Sequence, residues 1–374
     1  MKIRYGVNLL YLTPKQVGGT QTYAENLLHY MQLLINRDEE IILYCTENNA
    51  YLFKNSNFTI RILKFKSSNF IFRYLLENLY LPILLIIDRI DSLLCLGYTK
   101  PLLCPCHTVL TIHDLNWYFH PEDFGIWQKV WMIISTISAK TATKIIAISQ
   151  TTKLSIMKVY NVNSSKITVI YHGAHTPTRS EVPFSMKSSI SQPYILSVLS
   201  HYPHKNLLSL LAAYKLVQQK TPQYSLVIAG TGTPQAINSR SKLISKMNIP
   251  NVITLGYLPP DQLDALYQHA QMYISPSLYE GFGMTILEAI ANKVPVIASQ
   301  IGAHREILQN PDYLFHPTNR SEIAKKILEL LNNNSYRKIV QKEQYGILKK
   351  YSWENTASST IKLLRSATNE SINK

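Results

Sequence analysis

The chain has 374 residues, 46% hydrophobic and 16% charged, with 38 Lys+Arg against 23 Asp+Glu and a formal net charge of +15. That apolar content fills sizeable cores, enough for two domains at about 150 residues each, and excludes a disordered, coiled-coil or collagen-like protein. Its 4 cysteines are too few for a disulfide-stapled secreted domain.

Alternating apolar runs and amphipathic stretches predict strand, helix, strand, helix nearly throughout. The expected elements are a buried strand at 3–10, a helix at 20–34, and short strands at 41–45 and 59–65. A helical outline at 70–87, strands at 92–96 and 109–112, and a helix at 125–142 follow. A strand at 144–149, a helix at 150–160 and a strand at 167–171 complete the first run. Residues 176–193 break this rhythm with Pro177, Pro183 and Pro193 and little periodicity, as a linker does. The alternation restarts with a strand at 194–198, a helix at 206–219, and strands at 224–229 and 252–255. A helix at 261–271, a strand at 272–275, a helix at 284–292 and a strand at 294–299 come next. From 320 onward the pattern is helical. Repeated β-α units imply parallel sheets covered on both faces, with ligands at the carboxyl ends of the strands.

No apolar run reaches the roughly 18 residues of a spanning helix. The nearest, 79–87, holds Pro82 and is stopped by Asp88, Arg89 and Asp91. The opening residues 1–7 lack a signal-peptide pattern, so a reduced, cytoplasmic setting is expected. The positive charge is spread evenly over both halves. It fits an anionic membrane surface or phosphorylated ligands, whereas no zinc-finger spacing or RNA-binding motif supports nucleic acid.

The strongest chemical signal is Pro276-Ser277-Leu278-Tyr279-Glu280-Gly281-Phe282-Gly283-Met284-Thr285-Ile286-Leu287-Glu288, which follows a strand and opens a helix. Gly281 and Gly283 allow close backbone approach, and the free amides at a helix start make an anion site that suits a diphosphate. On one helix, Glu280 and Glu288 would be separated by about 800° of rotation and about 12 Å of rise, so they are not a paired acid and base. Glu280 is placed in the glycine loop and Glu288 two turns into the helix, each accepting from sugar or ribose hydroxyls. Lys205, in Pro203-His204-Lys205-Asn206, follows a strand and can reach phosphates. Gly18-Gly19 forms a weaker glycine turn after the first strand. His113, at a strand end, can donate to a sugar hydroxyl or a phosphate oxygen. Cys104-Pro105-Cys106-His107 looks like a metal fragment but lacks a second paired motif, so no metal is assigned.

At these residues the sequence resembles the retaining glycosyltransferases of family 4, especially mannosyltransferase-like members, over nearly the whole chain. Glu280 and Glu288 with their surroundings resemble that family's E-x7-E signature, and 194–207 resembles its phosphate-site stretch. Gly18-Gly19 and His113-Asp114 resemble its acceptor-domain motifs, and Trp353 resembles the start of its last helix. The resemblance implies a GT-B fold, an α/β architecture of two Rossmann-like doubly wound domains facing a cleft. The implied domains are 1–175, a linker at 176–193, a nucleotide-sugar domain at 194–350, and a last helix at 351–374 that crosses back to the first domain.

The implied activity is transfer of a hexose, with mannose as the guess, from a nucleoside-diphosphate sugar to a saccharide or lipid-linked acceptor hydroxyl. Cell-surface polysaccharide, lipopolysaccharide or glycolipid synthesis is the implied setting. Lys205 would bind the diphosphate, Glu280 the donor sugar and Glu288 the ribose, with His113 beside the transferred sugar. Gly18, Gly19, Gly281, Phe282, Gly283, Met284 and Thr285 would join the donor site. No cofactor and no metal are implied, and the partners are donor, acceptor and an anionic membrane at its inner face. The chain departs from the family pattern at Leu199 (glycine), His204 (arginine) and His172 (asparagine), and 199 and 200 hold no arginine. A nucleotide-sugar-binding GT-B protein without transfer, or a nucleotide-sugar epimerase, is the alternative.

Overall fold

The computed structural model describes residues 2–14, 19–64, 70–121, 127–177, 190, 193–230 and 234–369. Gly18 and most of 176–193 lie outside them. The chain divides into two units, Met1–Gly173 with Tyr351–Lys374, and Ala174–Lys350.

The first unit contains β1 (Ile3–Asn8), α1 (Gly19–Leu34), β2 (Glu39–Thr46), β3 (Thr59–Leu63), α2 (Phe70–Leu79), α3 (Leu81–Ile87), β4 (Ser92–Cys95), β5 (His107–Ile112), α4 (Asn116–Phe119), α5 (Trp127–Thr141), β6 (Lys144–Ala147), α6 (Gln150–Tyr160) and β7 (Ile167–Val169). Its seven strands run in the order β3-β2-β1-β4-β5-β6-β7, and every pairing is parallel. Strand alternation sends neighbouring side chains to opposite faces. Ile41, Leu43 and Cys45 of β2 therefore join one core with Tyr23, Leu27 and Met31 of α1. Ile42 and Tyr44 join the other with Leu81 and Leu85 of α3. The expected single outline at 70–87 is two helices. Pro82 sits in the first turn of α3, where its missing N–H breaks no helical bond.

The second unit contains β8 (Tyr194–Val198), α7 (Leu207–Lys220), β9 (Ser225–Ala229), α8 (Pro234–Met247), β10 (Val252–Thr254), α9 (Pro260–Gln268), β11 (Met272–Ser275), α10 (Met284–Ala291), β12 (Val296–Ser299), α11 (Gly302–Leu308), β13 (Leu314–Phe315), α12 (Arg320–Asn332) and α13 (Asn334–Ile347). Its sheet order is β10-β9-β8-β11-β12-β13, again all parallel. Three elements of this unit were not expected from the sequence, nor was the one-turn α4 of the first. The apolar residues of α8 are too sparse to show a period, while α11 and β13 are too short for one.

The chain then re-enters the first unit as α14 (Trp353–Asn369), which packs on α1. Arg365 grips the Glu39 carboxylate through Nε and Nη2, at 2.7 and 2.6 Å, and Tyr5 donates to the same group at 2.9 Å. The Arg365 hydrogen bond outweighs burial and holds Glu39 at about 2. Among the described residues no helix is long and apolar enough to cross a membrane.

Candidate active site

In each sheet the strand order reverses at one point, between β8 and β11 in the second unit and between β1 and β4 in the first. Such switch points leave a crevice at the carboxyl ends of the strands. The second unit's crevice is built by two loops fastened to each other. Asn206 adopts φ 59°, a left-handed conformation that asparagine tolerates, and starts α7. Its amide donates to the carbonyls of Pro276 at 2.9 Å and Pro317 at 2.7 Å. The Leu278 amide donates to the His204 carbonyl at 2.7 Å.

These fastenings bring Lys205 Nζ to within 2.7 Å of Glu280 Oε1, each side chain 18% exposed. Ser277 Oγ donates to the same carboxylate oxygen at 2.8 Å. Burial pushes the Glu280 carboxyl up, but the Lys205 ammonium, His304 and the Ser277 hydroxyl together hold it below its ordinary value. The lysine and the carboxylate, expected on different parts of a ligand, thus contact each other directly.

Gly283, at φ 118°, turns the loop into α10 without a side-chain cap; the Ile286 amide donates back to the Gly283 carbonyl at 3.0 Å, and the amides of Met284 and Thr285 ahead of it suit a ligand or water. A Cβ there would press on Ile307 and His304 at 3.3 and 3.4 Å. Phe282 is buried beneath the loop, while Met284 and Thr285 form the first turn of α10, half-buried. Glu288 lies one turn into α10, not two, because the helix begins only at Met284. Tyr267 donates to its Oε2 at 3.1 Å. Burial raises the Glu288 carboxyl against the pull of His175, whose imidazole pairs with Asp264 at 2.9 Å.

His304, fully buried under the loop, meets Ser299 through Nδ1, with burial lowering it to about 4. Neither it nor Arg240 was singled out from the sequence. Arg240, on the unforeseen α8, is 6% exposed and donates to the Leu199 carbonyl at 3.1 Å. It reaches the β8 loop from outside that loop, at the stretch where no arginine stands in sequence. Gly230 allows this crowding, since a Cβ there would lie 2.1 Å from the Leu199 oxygen at φ +136°. No spacing pattern could have announced a contact supplied by an unread helix.

In the first unit Gly19 opens α1 at an exposed position. His113 follows β5, buried, its Nε2 within 2.8 Å of the Leu96 carbonyl. A carbonyl only accepts, so Nε2 carries the proton. Burial lowers the ring's basicity. The neutral ring is left with Nδ1, an acceptor, so the expected donation to a sugar or phosphate meets an N–H already given to the Leu96 carbonyl. His172 stacks between Tyr23 at 4.6 Å and Trp353 at 5.8 Å. Cys104 and Cys106 bring their sulfurs to 3.6 Å, but among the described residues no three His, Cys, Asp or Glu side chains meet as a metal site.

Family models divide the chain between them. One described as Glycosyltransferase Family 4 matches residues 17–177, and one described as Glycosyl transferases group 1 matches 179–346. O-antigen chain mannosyltransferase B of Escherichia coli is 29% identical over 266 residues, 68% of this chain and 68% of that protein. O-antigen chain mannosyltransferase RfbU of Salmonella typhimurium is 30% identical over 227 residues, 58% of this chain and 61% of that one. Among solved structures, HepE of Anabaena in complex with UDP and glucose has a TM-score of 0.76 at 16% identity, covering 97% of this chain and 100% of that chain. A Rickettsia africae glycosyltransferase has a TM-score of 0.73 at 19% identity, covering 98% of both. At these identities the likeness shows the fold, two Rossmann-like parallel-sheet units of the GT-B type.

Proposed function

Because the chain belongs to the family 4, group 1 glycosyltransferases, we propose that it transfers a hexose from a nucleoside-diphosphate sugar to an acceptor hydroxyl with retention at the anomeric carbon. The observation that carries this reading is the Lys205–Glu280 pair beside the uncapped start of α10, at the switch point of the second sheet.

As the glycosidic bond breaks, the diphosphate gains negative charge and the sugar gains oxocarbenium character. The Lys205 ammonium and the amides of Gly283 to Thr285 interact more strongly with the leaving diphosphate than with the intact donor, which is differential stabilisation of the transition state. Donor phosphate entering the site competes with Glu280 for Lys205 and frees that carboxylate to accept from sugar hydroxyls. Glu288 accepts from the ribose. A phosphate oxygen of the leaving group takes the acceptor's proton on the same face, so no carboxylate base is required. His113 Nδ1 accepts from a sugar hydroxyl.

The two O-antigen chain mannosyltransferase relatives support mannose as the sugar transferred and cell-surface polysaccharide assembly as the setting; GDP-mannose and a saccharide or lipid-linked acceptor are the substrates proposed. A thermal-shift panel of nucleotide sugars tests the donor, since a ligand at a hundred times its Kd stabilises by about 2.7 kcal/mol. Stabilisation by GDP-mannose is expected, followed by an α-linked product in an NMR transfer assay. A β-linked product, or no response to any nucleotide sugar, overturns the reading.

A further inference from the structure

Cys104 and Cys106 take no part in the site above, yet their sulfurs lie 3.6 Å apart. Both are half-buried, within reach of solvent, whereas Cys45 and Cys95 are fully buried in the two cores of the first unit. The segment that carries the pair is fastened at both ends. On one side the Lys100 amide donates to Ser138 Oγ at 3.3 Å, and the Leu102 amide donates to Asn78 Oδ1 at 2.8 Å. On the other, the His107 amide donates to the Asp91 carbonyl at 3.3 Å as β5 begins. Pro105 fixes φ between the two cysteines. Two thiols held in this way meet with little of the entropy cost of closing a loop.

A cation stands beside them. Lys100 is 3% exposed, and its ammonium donates to the Pro101 carbonyl at 2.9 Å rather than to a carboxylate. An ammonium so placed favours an anion forming next to it. Cys104 is the group that responds. Cys106 donates to its sulfur through thiol and amide, and together with the Lys100 charge this outweighs burial, so Cys104 ionises more readily than an ordinary thiol. The same hydrogen bond and burial push Cys106 the opposite way. One sulfur is therefore poised as a nucleophile, with a protonated thiol in contact with it.

We propose that Cys104 and Cys106 form an exchange site for low-molecular-weight disulfides, with Cys104 as the attacking sulfur and Cys106 as the resolving one. The Cys104 thiolate bonds to one sulfur of glutathione disulfide, whose S–S bond breaks and releases one glutathione thiolate. Cys106 then gives its proton to solvent and attacks Cys104 Sγ, displacing the second glutathione thiolate. Two electrons pass from the dithiol to glutathione disulfide, leaving an internal disulfide and two molecules of glutathione. An excess of glutathione runs the same steps backwards, so the bond follows the thiol pool. The exchange is independent of the transfer reaction and is measured without it.

The experiment incubates the folded full chain with glutathione disulfide, alkylates the remaining thiols and reads the intact mass. Two thiols should be lost with no glutathione retained, and dithiothreitol should restore both. Cys106→Ser keeps a donor to Cys104 and should instead retain one glutathione. Cys104→Ser should take glutathione up at least about tenfold more slowly. Cys95→Ala should still close the internal bond. Lys100→Met, combined with Cys106→Ser, should move the pH profile of uptake upward. Circular dichroism checks that each variant folds. A folded wild-type chain that loses no thiols overturns the proposal. So does equal uptake by Cys104→Ser and Cys106→Ser, or failure of Cys95→Ala to close the bond, which would make Cys95 the resolving sulfur. An unmoved profile with Lys100→Met overturns the part given to the ammonium.

Discussion

Beyond β8 and β11, Lys205 and Glu280 meet at 2.7 Å with side chains still reachable by solvent. Beyond β1 in the other sheet, Asn8 donates its amide at 2.7 Å to Glu77, a carboxyl only 2% exposed. Thr99 lies against the same carboxyl at 3.4 Å. Both places are switch points of parallel sheets, and both hold a carboxylate among donors. In the second unit the carboxylate is charged and shares its surroundings with an uncapped helix start. In the first, burial pushes Glu77 up from its ordinary value, although Arg73, Asn8 and Thr99 draw it down. Topology therefore supplies a crevice, and the exposure of its polar groups decides whether it can exchange one partner for another.

The largest expected effect breaks the comparison if it fails. Lys205→Ala and Glu280→Ala should each cut turnover about 10²–10³-fold, the scale of losing one donor to a developing charge. Circular dichroism should change little, while the melting temperature should fall more for Lys205→Ala, which leaves the mostly buried Glu280 carboxylate without its ammonium, so turnover is compared on the folded variants. Normal turnover in either purified variant would place the chemistry elsewhere.

A second effect sharpens the contrast through acid. His304 sits neutral beneath the second unit's loop, lowered to about 4 by burial. The unfolded chain takes up its proton near pH 6.5. Between those values the unfolded state binds more protons, so stability is complete above about 6.5 and declines as pH falls toward 4. Roughly 3 kcal/mol should be lost across that window. Denaturant titrations from pH 7 to 4 measure it, and His304→Phe should flatten that part of the profile. An unchanged slope in the variant would mean that this imidazole is not the titrating group.

Much of this was legible in the sequence, for reasons that differ by element. Strand 272–275, strand 194–198 and helix 150–160 match their observed bounds because short apolar runs mark the strands and a clear cap marks the helix. Ser149, for one, accepts from the Thr152 amide at 2.9 Å as the cap of α6. The glycine loop was readable because Gly281 and Gly283 fall between a strand and a helix. What stayed hidden depends on distance in the chain. Nothing local says that Asn206 fastens one loop to another, that Arg240 reaches the Leu199 carbonyl, or that Leu96 occupies the proton of His113. Those contacts are chosen by the fold, and residue type alone permits many others.

The smallest expected effect concerns the first unit. Glu77→Ala should leave the Asn8 amide buried without an acceptor, at a cost of about 1–3 kcal/mol in stability. Glu77→Gln keeps an oxygen for Asn8 and Thr99 without a charge to bury, so its cost should stay within about 1 kcal/mol. The pH dependence has the opposite sign to that of His304. A carboxyl raised in the fold binds more protons there than in the unfolded chain, so its part of the stability falls as pH rises above the ordinary carboxylate range. Glu77→Gln should remove that fall. Neither variant should alter KM for the nucleotide sugar, because the carboxyl is already committed to its own unit. A several-fold rise in KM with Glu77→Gln would show that the buried carboxyl answers to the ligand after all, and the two switch points would then differ in degree of exposure rather than in kind.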